Sequence, residues 1–215
     1  MEIISSSTIQ TWERFYRANF VNSLTGFKSV SLIGTINKKG QTNLAIFSSL
    51  LHLGSDPALI GFINRPVQAA PHTLANIQST GIYTINHIHP SFLELAHQTS
   101  AKYPEEVSEF DELGLTPEFI DPTIAPFVKE SRVKYALSLE EIIPIKLNNT
   151  FLVIGKLQHV KLEEEILLPD GFLELSKASS LCSNGIDAYY STQLIDRYEY
   201  AKPGVKPEKI KNLSD

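Results

Sequence analysis

The chain has 215 residues, 42% of them hydrophobic, and a formal net charge of −5. That length suits one domain with a sizeable core, and Lys and Arg are spread along it without a basic stripe, which argues against a nucleic-acid partner. A single cysteine, Cys182, excludes an intrachain disulfide and a cysteine-based metal cluster, and no apolar run is long enough to span a membrane.

Met1-Glu2-Ile3-Ile4 leads straight into Ser and Thr without the pattern of a signal peptide, so a cytoplasmic protein with no membrane partner is expected. Residues 8–22 place Ile9, Trp12, Phe15, Tyr16 and Phe20 on one stripe, which predicts a helix with Thr8 as its N-cap. Such a stripe packs onto the body of the protein or a partner subunit, or stacks on a ligand. Residues 29–37 and 58–64 are rich in Val, Ile, Leu and Phe and read as strands. Lys38-Lys39-Gly40 closes the first hairpin, with Gly40 supplying a positive φ, and Asp56-Pro57 marks the next corner.

Polar residues interrupt this apolar stretch. Asn43, Ser48 and Ser49 flank an apolar run, and Arg65 stands just past a strand end. His72 and Thr73 open a short helix that Gly81 ends. A guanidinium, several hydroxyls and a helix N-terminus together suit a phosphate. The same residues also read as a sheet-edge bend, a helix cap and a solvated charge.

A strand is expected over 82–86, followed by the pair His87 and His89 with His97 further on. Two imidazoles fall short of the three convergent ligands a metal needs, so no metal site is expected. Residues 91–101 read as a helix capped by Ser91, and 102–131 as a long acidic connection punctuated by Pro, with short helical pieces at best. Strand patterning returns over 133–143 and 150–160, with Pro144 and Asn148-Asn149 turning the chain. Gly155 in mid-strand suggests a bulge or a close approach, and His159 shares its side in a regular strand. Residues 167–175 read as a turn and a short apolar helix, and the Pro/Lys-rich tail from Ala201 as poorly packed. No G-x-G-x-x-G dinucleotide fingerprint is present.

Four motifs come in order: Asn43, Ala45, Ser48 and Ser49; Asp56, Pro57 and Leu59; Thr73, Leu74, Asn76 and Ile77; and Gly185-Ile186-Asp187-Ala188-Tyr189-Tyr190. Over most of residues 25–200 this pattern resembles the flavin reductase-like, FMN-binding split-barrel family. The resemblance implies a mainly β fold with peripheral helices, an FMN-binding split β-barrel. It implies one domain over 1–215, with an N-terminal helix at 8–22, barrel at 29–86 and 133–161, an excursion at 87–131 and a C-terminal segment at 185–215. It also implies FMN as cofactor, NADH or NADPH as transient co-substrate, a small-molecule acceptor or free flavin, and a homodimer. The helix at 8–22 and the stretch 102–131 are the candidate dimer contacts.

Carried onto this sequence, the resemblance gives Ala45 and Phe47 to the wall beside the flavin ring. It gives Asn43, Ser48 and Ser49 to the ribityl chain or phosphate, Arg65 to the phosphate, and His159 to the flavin and nicotinamide neighbourhood, with Thr73 adding an N-cap or first-turn hydroxyl at the cofactor's helix. Many members carry a second basic residue just before the helix, where this chain has Gln68 and His72. Phosphate binding is therefore expected to lean on Arg65, and to weaken as His72 loses its proton. No catalytic acid–base residue is assigned, because hydride transfer to a flavin does not require one. A flavin carrier without turnover of its own is the alternative the family leaves open.

Overall fold

The structure, a computed structural model, describes residues 1–69 and 71–210. Two helices, α1 (Ser6–Thr11) and α2 (Arg14–Leu24), replace the single helix expected over 8–22. The break falls where Trp12 turns extended and the Glu13 carboxylate accepts from the N–H groups of Phe15 and Tyr16, capping α2. Ser5 rather than Thr8 caps α1. Neither helix contains a buried residue; Trp12 gathers Tyr16 and Phe20 edge-on, each at 4.9 Å between ring centres.

The strand expected over 29–37 splits at Val30 into β1 (Lys28–Ser29) and β2 (Ser31–Ile36), which join different sheets. The hairpin after β2 forms as its residues dictate. Gly40 takes φ +85°, and Asn37 Oδ1 accepts from the N–H groups of Lys39 and Gln41. Then come β3 (Thr42–Phe47), β4 (Leu51–Ser55) and β5 (Ala58–Asn64). Helix α3 (Pro71–Thr80) opens on a proline, whose missing N–H costs nothing there, and leads to β6 (Ile82–His87). The next turn, Pro90–Phe92, is capped by the His89 ring and not by Ser91, and passes into α4 (Leu93–Gln98).

The stretch 102–131 is not a loose connection. It holds α5 (Glu109–Leu113) and a hairpin of β7 (Pro117–Ile120) and β8 (Thr123–Val128) that packs on β2 and β6. Thr84 Oγ1 donates to the Pro126 carbonyl at 2.6 Å, and the Val128 N–H donates to Asn86 Oδ1 at 2.9 Å. The buried Lys134 ammonium donates to the carbonyls of Val128 and Lys129 and pairs with Glu118 at 2.7 Å. Pro117, Pro122 and Pro126 break the alternation by which strands are read, which is why the hairpin is hidden in the sequence.

The chain closes with β9 (Val133–Ile145), β10 (Thr150–Leu162), β11 (Cys182–Asn184) and β12 (Ala188–Tyr190). Pro144 stays inside β9 because beyond Leu139 that strand pairs only with β10. No helix forms at 167–175; a bridge between Leu167 and Leu173 makes a tight hairpin instead, in a segment too short for a stable helix. The tail does fold on itself through a bridge between Tyr198 and Lys209, though it remains exposed.

Seven antiparallel strands lie in the order β3-β2-β6-β9-β10-β5-β4, and β1-β11-β12 form a second, small sheet. Strands β3 and β4 are neighbours in the chain yet stand at opposite margins, so the large sheet must curl until residues 48–50 bridge them. Ser49 fastens that bridge: its hydroxyl both donates to the Ile63 carbonyl and accepts from the Ile63 N–H, each at 3.1 Å. The result is an open barrel. Ile33, Phe62, Ile77, Tyr83, Ile85, Leu137 and Val153 fill its interior. Gly155 serves both purposes expected of it. Register against β9 shifts there, and a Cβ would run into the Tyr83 phenol. Among the described residues no helix is long and apolar enough to cross a membrane.

Candidate functional site

Where the barrel stays open, a cleft of about 1060 Å³ lies along β3. Its walls come from β3 and the 48–51 corner, from Arg65 and the first turn of α3, from the 97–103 stretch, and from the small sheet. Because β3 is a sheet margin, one side of its backbone has no strand partner. Helix α5 docks there: Glu109 Oε2 accepts from the Leu44 N–H at 2.8 Å, and the Thr42 and Ser108 hydroxyls meet at 2.6 Å.

Eight of the nine residues expected at the cofactor line this cleft: Asn43, Ala45, Phe47, Ser48, Ser49, Arg65, His72 and Thr73. Asn43 and Thr73 are buried, and the Asn43 carboxamide donates to the Thr73 hydroxyl at 3.3 Å, fixing the edge strand to the helix start. Phe47 is held edge-on to Phe62 at 5.0 Å. The Ser49 hydroxyl is spent on Ile63, whereas that of Ser48 has no partner among the described residues. The exposed Arg65 guanidinium likewise has neither acid nor carbonyl partner among them.

His159 does not join the others. A second register shift in β10, between Leu157 and His159, turns it toward the β7–β8 hairpin. There its Nε2 lies 3.2 Å from Thr123 Oγ1 and its ring leans on Phe127. The imidazoles of the H-x-H pair also part. His87 Nδ1 meets Ser180 Oγ at 3.0 Å, and His89 caps the following turn. Among the described residues no three His, Cys, Asp or Glu side chains converge on a possible metal.

The cleft holds groups the sequence did not signal. Among the described residues Lys28, Lys102 and Arg65 line it against one carboxylate, Glu109, although the chain as a whole is acidic. A second and third permanent cation therefore reach the site from outside the 65–72 loop, and the field favours an anionic ligand. Burial raises the Glu109 carboxyl above its ordinary range, while the Leu44 N–H and the nearby His72 oppose the rise. Glu109 sits in an acidic run that reads as solvated surface, so nothing in its neighbours marked it.

The donor set fits a flavin with a phosphate on its ribityl chain. A flavin ring needs an apolar wall beside backbone polar groups, which Ala45, Phe47, Leu50 and the free margin of β3 supply. A phosphate needs a cation, a hydroxyl and helix N–H groups, which Arg65, Ser48 and the start of α3 can offer.

An open antiparallel barrel with such a cleft on its free margin defines a split-barrel, flavin-binding class. The chain belongs to the family described as the flavin reductase like domain, which matches residues 27–173. It is similar to a split-barrel protein of Shewanella frigidimarina NCIMB 400, assigned provisionally to the flavin reductases, at 45% identity and TM-score 0.90 over 94% of this chain and 100% of that one. Nitrilotriacetate monooxygenase component B of Bacillus cereus shares the fold at 19% identity and TM-score 0.79, over 91% and 97% of the two chains. Flavoredoxin of Desulfovibrio vulgaris (Miyazaki F) shares it at 23% identity and TM-score 0.69, over 83% and 92%. The family implies a flavin cofactor.

Proposed function

We propose that the protein binds FMN in this cleft and is an oxidoreductase of the flavin reductase type, taking hydride from NADH or NADPH. The observation that carries the reading is the Arg65 guanidinium, unpartnered among the described residues, in one cleft with the free Ser48 hydroxyl and the first turn of α3. Bound flavin would supply the redox chemistry; the chain's part is to bind, orient and shield. Thr73, fixed by Asn43, marks the phosphate end, and Ala45 and Phe47 form the wall against which a ring lies flat. The electron acceptor in this reading is a small molecule or free flavin.

The working form in this proposal is a homodimer. Phe15, Tyr16, Leu24 and Phe27 are each exposed on or just after α2, apolar surface that a partner subunit would cover. Light scattering after size exclusion reads the assembly, and a monomer at all concentrations refutes it. For the activity, FMN-loaded protein is mixed anaerobically with NADH and then NADPH. Rapid bleaching of the flavin absorbance by one of them is the expected result; no bleaching by either removes the reductase assignment.

A further inference from the structure

The end of the cleft made by the small sheet carries polar groups that the flavin reading leaves unused. In that sheet Ser183 stands opposite Lys28 on one side and Tyr189 on the other, so the three side chains form a row on one face. All three line the cleft. The Lys28 ammonium donates to the carbonyls of Asn22 and Gly185, both at 3.1 Å. An ammonium has three donors, so one remains, and no acidic side chain among the described residues pairs with it. The Ser183 hydroxyl is buried and has no hydrogen-bond partner among the described residues, an arrangement that costs free energy unless something fills it. Tyr189 Oη and His97 Nδ1 meet at 2.7 Å at the edge of the row. Asp187, the acid beside Tyr189, does not line the cleft.

Place and size separate this row from the cofactor's phosphate end. Asn43, bonded to Thr73, and Phe47 are four residues apart on β3, roughly 13 Å. Phe47 pairs with Ser31, and β1 lies just beyond that pair. A cleft of about 1060 Å³ also stands at the upper limit of what one small ligand occupies. Between the two ends the lining is apolar, with Ala45, Ile46 and Val30, and Phe27 and Ile186 flank the row.

We infer that the Lys28–Ser183–Tyr189 row is the docking site for a second reactant, a planar apolar molecule carrying one carboxylate. The carboxylate takes the spare Lys28 N–H and the Ser183 hydroxyl, while its flat body lies along the apolar stretch toward the flavin. The inference rests on the flavin reading above for that second half only.

The probes are benzoate and its neutral isostere benzamide, titrated into FMN-loaded and FMN-free protein. Binding is followed by calorimetry and, where FMN is bound, by perturbation of its visible spectrum. Benzoate binds about tenfold or more tightly than benzamide, as one charge-assisted hydrogen bond requires. Lys28→Gln reduces that ratio to about one, and Ser183→Ala, which removes the hydroxyl and nothing else, weakens benzoate several-fold. Equal binding of the two probes, or benzoate affinity unchanged in Lys28→Gln, overturns the inference. So does a Lys28→Gln variant that loses only discrimination between NADPH and NADH, which assigns the cation to a phosphate. If FMN fails to bind while benzoate is still preferred through Lys28, the carboxylate site stands and the cofactor reading falls.

Discussion

Pro126 crosses Gly34 so closely that its carbonyl oxygen leaves no room for a β-carbon there. The same carbonyl accepts from Thr84 Oγ1, so the hairpin of β7 and β8 is seated on β2 by an absent side chain and one short bond. Gly34→Ala therefore forces backbone apart in a packed interior. A loss of about 1–3 kcal/mol is expected, read as a lower urea midpoint with an unchanged slope.

Arg65 and the two serines separate binding from stability. Arg65→Ala should raise the FMN dissociation constant about ten- to a hundredfold, the worth of a hydrogen bond to a charged group. Ser48→Ala should weaken FMN several-fold and leave the melting temperature alone. Ser49→Ala should do the reverse first, lowering stability by about 1 kcal/mol because its hydroxyl serves both backbone groups of Ile63. Fluorescence titration of FMN beside thermal melts of the three variants decides it; wild-type affinity in Arg65→Ala defeats the placement of the phosphate.

Glu109 makes a pH-dependent claim. Its carboxyl is raised above 4.5 in the folded protein, chiefly by burial. The folded state then holds this proton more tightly than the unfolded chain. The group's contribution is favourable at low pH and declines as pH rises from the ordinary value to the raised one. Glu109→Gln keeps an acceptor for the Leu44 N–H and removes the titration. Its urea midpoint should match or exceed the wild type at pH 7, and FMN should bind it somewhat more tightly, since a carboxylate is removed from the cleft.

His87 works in the opposite sense. Burial lowers its pKa from 6.5 to about 4. The unfolded chain takes up the proton first, so stability present above pH 6.5 is lost as pH falls through about 4. The full shift corresponds to about 3 kcal/mol, and the residue's partial exposure brings the expected loss below that. His87→Gln should flatten the stability profile across this window; an unchanged profile places the acid sensitivity elsewhere.

The parts legible in the sequence were those whose chemistry is local. β5, the Lys39-Gly40 turn and the polar cleft residues Asn43, Ser48 and Arg65 each carry their signal within a few positions. Lys28 and Gly185 are 157 positions apart and meet through strands of two or three residues, too short to show a period. The hairpin at 117–128 was concealed by its prolines, and His159 falls outside the cleft because the register shift between Leu157 and His159 breaks the alternation that put it on the side of Gly155. Glu109 reaches the site through α5, a five-residue helix whose docking depends on the free edge of β3 and not on its own pattern.

The corner that joins β3 to β4 has a wider meaning for the family's design. Residues 48–50 and one serine hydroxyl are what span the two margins, while every ladder of the barrel lies elsewhere. Adding or deleting a residue at that corner would change how far the barrel gapes and leave all strand pairings in register. Mouth width and strand register are thus separately adjustable, and a descendant of this chain can shift to a bulkier or slimmer guest without rebuilding its interior.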